Sequence, residues 1–90
     1  MEQRTVVIGS DSGLHARPAA VFVKAAAALP VPVTIRVGDG RAVSARSMLA
    51  VLSLGARQGT EVTLEAEGEE AARAVDELAA LLARNLDADA

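Results

Sequence analysis

Short stretches with an apolar residue at every second position alternate along this chain with longer stretches where the apolar residues recur every third or fourth. Thr5-Val6-Val7-Ile8 is a β-branched run closed by Gly9-Ser10-Asp11-Ser12-Gly13, which predicts a strand and then a loop. From about Ala16 to Ala28 the period becomes helical, and Ala19, Phe22, Val23 and Ala26 fall on one face. Leu29-Pro30-Val31-Pro32 ends that helix, because proline cannot continue it. Val33, Ile35 and Val37 alternate with Thr34 and Arg36 as a second strand with one buried face. Gly38-Asp39-Gly40 reads as a hairpin loop leading to a shorter, weaker strand from Arg41 to Ala45.

Ser47 stands before Met48-Leu49-Ala50-Val51-Leu52 as the N-cap of a short second helix, and Gly55, just past Leu54, suits its C-terminal end. Gln58-Gly59-Thr60 is a turn, and Val62, Leu64 and Ala66 alternate with Glu61, Thr63 and Glu65 in a fourth strand. Gly68-Glu69-Glu70 opens the last helix, with acids in its first turn and a buried stripe of Val75, Leu78, Ala79, Leu82 and Leu86. Glu69 and Arg73 form an i,i+4 pair, and the tail Asp87-Ala88-Asp89-Ala90 is expected to fray. The order is β-α-β-β-α-β-α, with no internal repeat and no linker. The fold class is α+β, one domain over 1–90. The simplest two-layer arrangement is an open-faced β-sandwich: a four-stranded antiparallel sheet with three helices on one face.

Composition narrows the function. Hydrophobic residues make up 51% and charged residues 23%, a globular balance. The absence of cysteine excludes disulfides and thiol chemistry, and one histidine leaves little for a transition-metal site. No metal and no cofactor are expected. No apolar run approaches the roughly 18–20 residues of a membrane span, and Met1-Glu2-Gln3-Arg4 leads into no signal-peptide core, so a cytoplasmic protein is expected. The net charge is −3, and the single aromatic, Phe22, offers no stacking platform, which argues against nucleic-acid binding. A monomer is expected.

The candidate chemistry lies in Gly13-Leu14-His15-Ala16-Arg17-Pro18-Ala19-Ala20. It holds the one histidine, and Pro18 is tolerated in the first turn of the helix that follows. His15 is thereby placed at a helix N-terminus, where free N–H groups and the positive dipole end favour anions. Neutral imidazole is both a nucleophile and a leaving group near pH 7, which suits reversible phosphoryl transfer. Arg17 supplies a guanidinium fork matched to phosphate oxygens. Such an arrangement reads as a carrier of a phosphoryl group on histidine.

The stretch from Gly13 to Ala20 resembles the active-site signature of the HPr family, the histidine-containing phosphocarriers of the bacterial sugar phosphotransferase system. Ser44-Ala45-Arg46-Ser47-Met48-Leu49-Ala50-Val51-Leu52-Ser53-Leu54-Gly55 is similar to that family's regulatory-serine segment, and Gln58-Gly59-Thr60 and Ala66-Glu67-Gly68 match its habits. The resemblance implies that His15 takes phosphate on Nδ1 from enzyme I and passes it to enzyme II A domains, with Arg17 assisting and no stand-alone catalysis. It also implies that Ser47 is a regulatory position, which in some bacteria is the target of an ATP-dependent serine kinase. The spacing from His15 to Ser47 is one residue longer than is usual there, and the extra residue is placed near Gly38-Asp39-Gly40.

Met48, Leu49 and Leu52 are three large apolar residues on barely two turns, more than one face usually buries. They are expected to leave a partner-binding patch, with Ala16 and Ala20 beside it and a rim of Arg17, Lys24 and Arg46 that steers toward acidic surfaces. The alternative to a sugar-uptake carrier is a regulatory module of the same fold that acts by docking, with Ser47 as a phospho-switch, or a carrier of a nitrogen-regulating branch. Docking alone requires neither His15 nor Arg17.

Overall fold

The computed structural model describes residues 1–87. Within them the elements follow the expected order: β1 (Glu2–Val7), α1 (Ala16–Ala27), β2 (Val33–Val37), β3 (Val43–Ser44), α2 (Met48–Ser53), β4 (Glu61–Ala66) and α3 (Ala71–Ala83). The strands form one antiparallel sheet in the order β1-β4-β2-β3, so the last strand in sequence lies between the first two. In this register Val6, Val62 and Val37 stand in one row across the sheet, and Arg4, Leu64, Ile35 and Val43 in the next.

Directly opposed residues share a face, so these rows put Val33, Ile35, Val62, Leu64 and Ala66 on the side covered by helices. There they join Ala19, Phe22 and Ala26 of α1, Val51 of α2, and Val75, Leu78 and Leu82 of α3 in one core. α3 lies against β1 and β4, α1 packs on α3 and α2, and α2 reaches β3. On the other face Thr5 and Thr63 approach at 3.4 Å and Arg36 pairs diagonally with Glu65 at 3.7 Å. The expected open-faced sandwich is what the chain forms. Among the described residues no helix is long and apolar enough to cross a membrane.

Several boundaries differ from the pattern-based expectation. β1 starts at Glu2 rather than Thr5, because its pairing with β4 continues back through Arg4↔Leu64 and Gln3↔Glu65 to Glu2↔Ala66; Arg4, on the helix-facing row, donates from Nε to Asp76 Oδ1 of α3 at 2.7 Å. Ile8 leaves the strand but stays in the core. β3 is two residues long instead of five: only Val43 and Ser44 pair with β2, and a turn from Ser44 to Ser47, closed by the Ser47 amide on the Ser44 carbonyl at 3.2 Å, then takes the chain into α2. α3 starts at Ala71, so Glu69 and Glu70 precede it and its first turn carries no acid. Gly68 at φ 106 breaks the chain before it, a left-handed conformation that favours glycine. Arg73 therefore pairs with Glu70 (3.8 Å) and Glu77 (3.2 Å) rather than with Glu69. Val23 and Ala79, expected in the buried stripes, are half-buried. Leu86 lies past the end of α3 and is buried. Asp87, expected to fray, is bound as described below, and the rest of that tail lies outside the described residues.

Candidate functional site

His15 is the N-cap of α1, with extended backbone at φ −138° and ψ 158°. Its side chain makes no capping bond and is exposed, which leaves the imidazole clear of the helix end it stands beside. Ala16 follows at φ 46, the one non-glycine residue at positive φ among those described. An L-residue there costs about 1–2 kcal/mol, so surrounding structure must hold it. The holding residues are the neighbours: Leu14 and Pro18 are both buried, one before and one after the turn. Pro18 fixes its own φ for the helix, and Ala19 and Phe22 seat α1 on the core. Arg17, Ala20 and Lys24 share the exposed side of α1.

The loop that delivers His15 is tied on two sides. On one side the Gly9 amide donates to Leu82 O at 2.9 Å. Buried Ser10 donates from Oγ to Arg84 O at 3.3 Å and accepts from the Leu86 amide at 2.9 Å. The Asp11 amide donates to Asn85 Oδ1 at 3.1 Å, and Ser12 binds the Asp87 carboxylate. On the other side the Leu14 amide donates to Ala56 O at 2.8 Å, and Gln58 Nε2 donates to Gly9 O at 3.3 Å and to Asp11 Oδ1 at 3.1 Å. Glycine is needed twice. A Cβ at Gly9 would run into the Ala83 carbonyl, and one at Gly13, where φ is 72, into the Ala56 carbonyl and 2.7 Å from Arg57 Cα. Gly9 and Gly13 were legible as loop residues, whereas Ser10, Asn85 and Asp87 gave no signal, because their partners are about 75 residues away in sequence.

Ser47 caps α2: its Oγ accepts from the Ala50 amide at 3.2 Å. Gly55, past the C-cap Leu54, has φ 63 and ends the helix as expected. On α2, Leu49 is 81% exposed, whereas Met48 and Leu52 are half-buried and pack on the core. Arg46 does not sit beside Arg17. Its Nη2 donates to Leu29 O at 2.7 Å and its Nε to Ala26 O at 3.5 Å, which puts the guanidinium at the C-terminal end of α1. That end is about 18 Å from His15 at 1.5 Å per helical residue. There it adds to the Ala26 carbonyl, which also accepts the Leu29 amide at 3.2 Å, satisfies the Leu29 carbonyl just past the helix, and meets the negative end of the dipole. Arg17 and Arg46 therefore stand toward opposite ends of α1, with Lys24 between them along the helix. Among the described residues no cluster of three or more histidine, aspartate and glutamate side chains could hold a metal ion.

A family profile described as PTS HPr component phosphorylation site matches residues 2–84. The phosphocarrier protein HPr of Streptomyces coelicolor is 52% identical over 97% of this chain and 94% of its own length. Among solved structures, a phosphocarrier protein HPr from Bacillus anthracis superposes with a TM-score of 0.85 at 36% identity, over 90% of this chain and 95% of that one. An HPr dimer from Thermoanaerobacter tengcongensis covers 99% of this chain and 97% of its own at TM-score 0.68 and 35% identity. The open-faced sandwich with its exposed histidine at a helix start is thus the scaffold of a small phosphocarrier of the phosphotransferase system. The chain belongs to the HPr family.

Proposed function

We propose that His15 is the phosphoryl acceptor of a relay that runs from enzyme I to enzyme II A domains in sugar uptake. The observation that carries this is the exposed imidazole at the N-cap of α1, uncommitted to capping. In the transfer, His15 Nδ1 forms the bond to phosphorus as the bond to the group on enzyme I breaks. The reverse geometry hands the phosphoryl group to the next protein. The chain acts as a carrier and not as a stand-alone catalyst, because the group leaves on a partner. The N-terminal end of α1 and the Arg17 guanidinium favour the negative phosphoryl oxygens. Partners dock on Ala16, Ala20 and Lys24 of α1 and on Met48, Leu49 and Leu52 of α2, in the cytoplasm and to a monomer. Arg46 contributes from the far end of α1. Ser47 is a regulatory position for a serine kinase and phosphorylase.

The test is incubation with phosphoenolpyruvate and enzyme I, read by intact mass. One acid-labile phosphate is expected on the wild type and none on His15→Ala. A His15→Ala protein that still gains it refutes the assignment. Light scattering at the working concentration checks the monomer.

A further inference from the structure

We propose that Asp87 is a positioning residue for phosphoryl transfer, acting through Ser12 on the loop that delivers His15. The proposal rests on the carrier reading above. Ser12 gives both of its donors to one carboxylate. Its amide donates to Asp87 Oδ2 at 2.7 Å, and its Oγ, 3.0 and 2.9 Å from Oδ1 and Oδ2, donates its proton to the same group. Bonds to an ionised acceptor are shorter and stronger than neutral ones. Ser12 is separated from His15 only by Gly13 and Leu14.

That position decides the role. Leu14 is fixed by burial and by the Ala56 carbonyl, and Ser10 by burial and by the end of α3. Between these two anchors the chain makes a tight turn, closed by the Gly13 amide on the Ser10 carbonyl at 2.9 Å, with Gly13 at φ 72 and the Ser12 amide facing Asp87. Without Asp87 the Ser12 amide and hydroxyl lose their side-chain acceptor, and the side-chain contacts left nearby, from Asn85 and Gln58, fall on its neighbour Asp11. Ser12 and Asp87 are both exposed, so their bond adds little to global stability. Its effect is local: it fixes the backbone just ahead of the extended His15 and the strained Ala16. A misplacement of about 1 Å at a reacting group can cost on the order of 100-fold in rate, so a small local loosening is readable in transfer. Neither residue touches the reacting atoms, and Asp87 is not a catalytic residue.

The test uses Asp87→Ala, Asp87→Asn and Ser12→Ala in the full chain. With phosphorylated enzyme I as donor, Asp87→Ala is expected to lower kcat for phosphoryl acceptance about three- to tenfold while KM for enzyme I stays within error, since docking uses other residues. Asp87→Asn keeps one acceptor oxygen and is expected to recover most of the rate. Ser12→Ala, which keeps its amide, falls between. Amide hydrogen exchange at Ser12 to His15 is expected to quicken in Asp87→Ala while exchange in β4 is unchanged. Equal kcat in wild type and Asp87→Ala overturns the proposal, as does a loss that appears only in KM or that Asp87→Asn shares in full. If wild type itself takes no phosphate, the carrier reading falls and the positioning role falls with it. The exchange arm then separately decides whether Asp87 orders the loop: unchanged exchange shows that it does not.

Discussion

The Leu14 amide donates to the Ala56 carbonyl at 2.8 Å, and this bond joins the residue before His15 to the chain just past α2. It forces the two backbones so close that only glycine fits at position 13, where a Cβ would collide with the same carbonyl. Gly13→Ala therefore combines left-handed strain with a backbone clash and is expected to cost about 2–4 kcal/mol. Gly55 is also left-handed, at φ 63, but has open space around it, so Gly55→Ala is expected to cost only about 1 kcal/mol. Urea unfolding of the two variants checks the difference. Equal losses would show that the close approach to Ala56 is unimportant.

Arg17 is expected to act through charge and geometry. Arg17→Lys keeps the charge and loses the planar fork, and Arg17→Ala loses both. Phosphorylation rates should fall in the order wild type, Lys, Ala, with the melting temperature little changed because the residue is exposed. Equal rates in all three would make Arg17 a bystander.

Arg46 separates structure from docking. Its bonds to Leu29 and Ala26 carbonyls make it a clasp on the C-terminal end of α1. Arg46→Ala should cost about 1 kcal/mol of stability, the usual worth of such a contact. A variant with unchanged unfolding midpoint but raised KM for enzyme I would instead make Arg46 a surface contact alone.

The sequence made the sheet and the His15 site legible where period and punctuation agree. Val62, Leu64 and Ala66 alternate and lie in one of the two inner strands; Pro18 marks the start of α1; Ser47 caps α2. It misled where one long-range contact overrides a local pattern. Arg4 has no apolar character, yet it lies in β1, paired with Leu64 of β4, and reaches Asp76 across 72 positions. Arg46 follows Ala45 toward a helix and looks like a free surface cation, but its partner is the end of α1, some 17 residues earlier. Asp87 sits in an acidic, alanine-rich tail that local composition reads as frayed, and only the folded chain brings it to Ser12. Contacts of this kind carry no periodic signal.

The two leucines of α2 are expected to behave differently. Leu49 is 81% exposed, so Leu49→Glu should raise KM for enzyme I with almost no change in melting temperature. Leu52 is half-buried and packs on the core, so Leu52→Glu should both raise KM and lower the melting temperature. Stability loss in Leu49→Glu would contradict its exposure. Full affinity in that variant would remove it from the docking face.

Ser47 holds α2 by accepting from the Ala50 amide, and Ser47→Ala should cost about 1 kcal/mol as a lost cap. A carboxylate at this position can accept the same amide, so Ser47→Asp should fold as well as wild type. The two substitutions therefore divide cap from charge. The new charge lies next to exposed Leu49 and half-buried Met48, on the face proposed to meet an acidic partner. Repulsion and desolvation there should slow phosphorylation of His15 by enzyme I without altering His15 itself. Because an exposed charge is screened over about 10 Å at 0.1 M salt, the deficit should shrink as ionic strength rises. Ser47→Ala, weaker in its cap but uncharged, should be phosphorylated at close to the wild-type rate at a temperature where it is folded. If Ser47→Asp is phosphorylated as fast as wild type at low salt, the charge at this position carries no regulation. If Ser47→Ala and Ser47→Asp slow the reaction equally, and salt restores neither, then Ser47 acts only as the cap of α2.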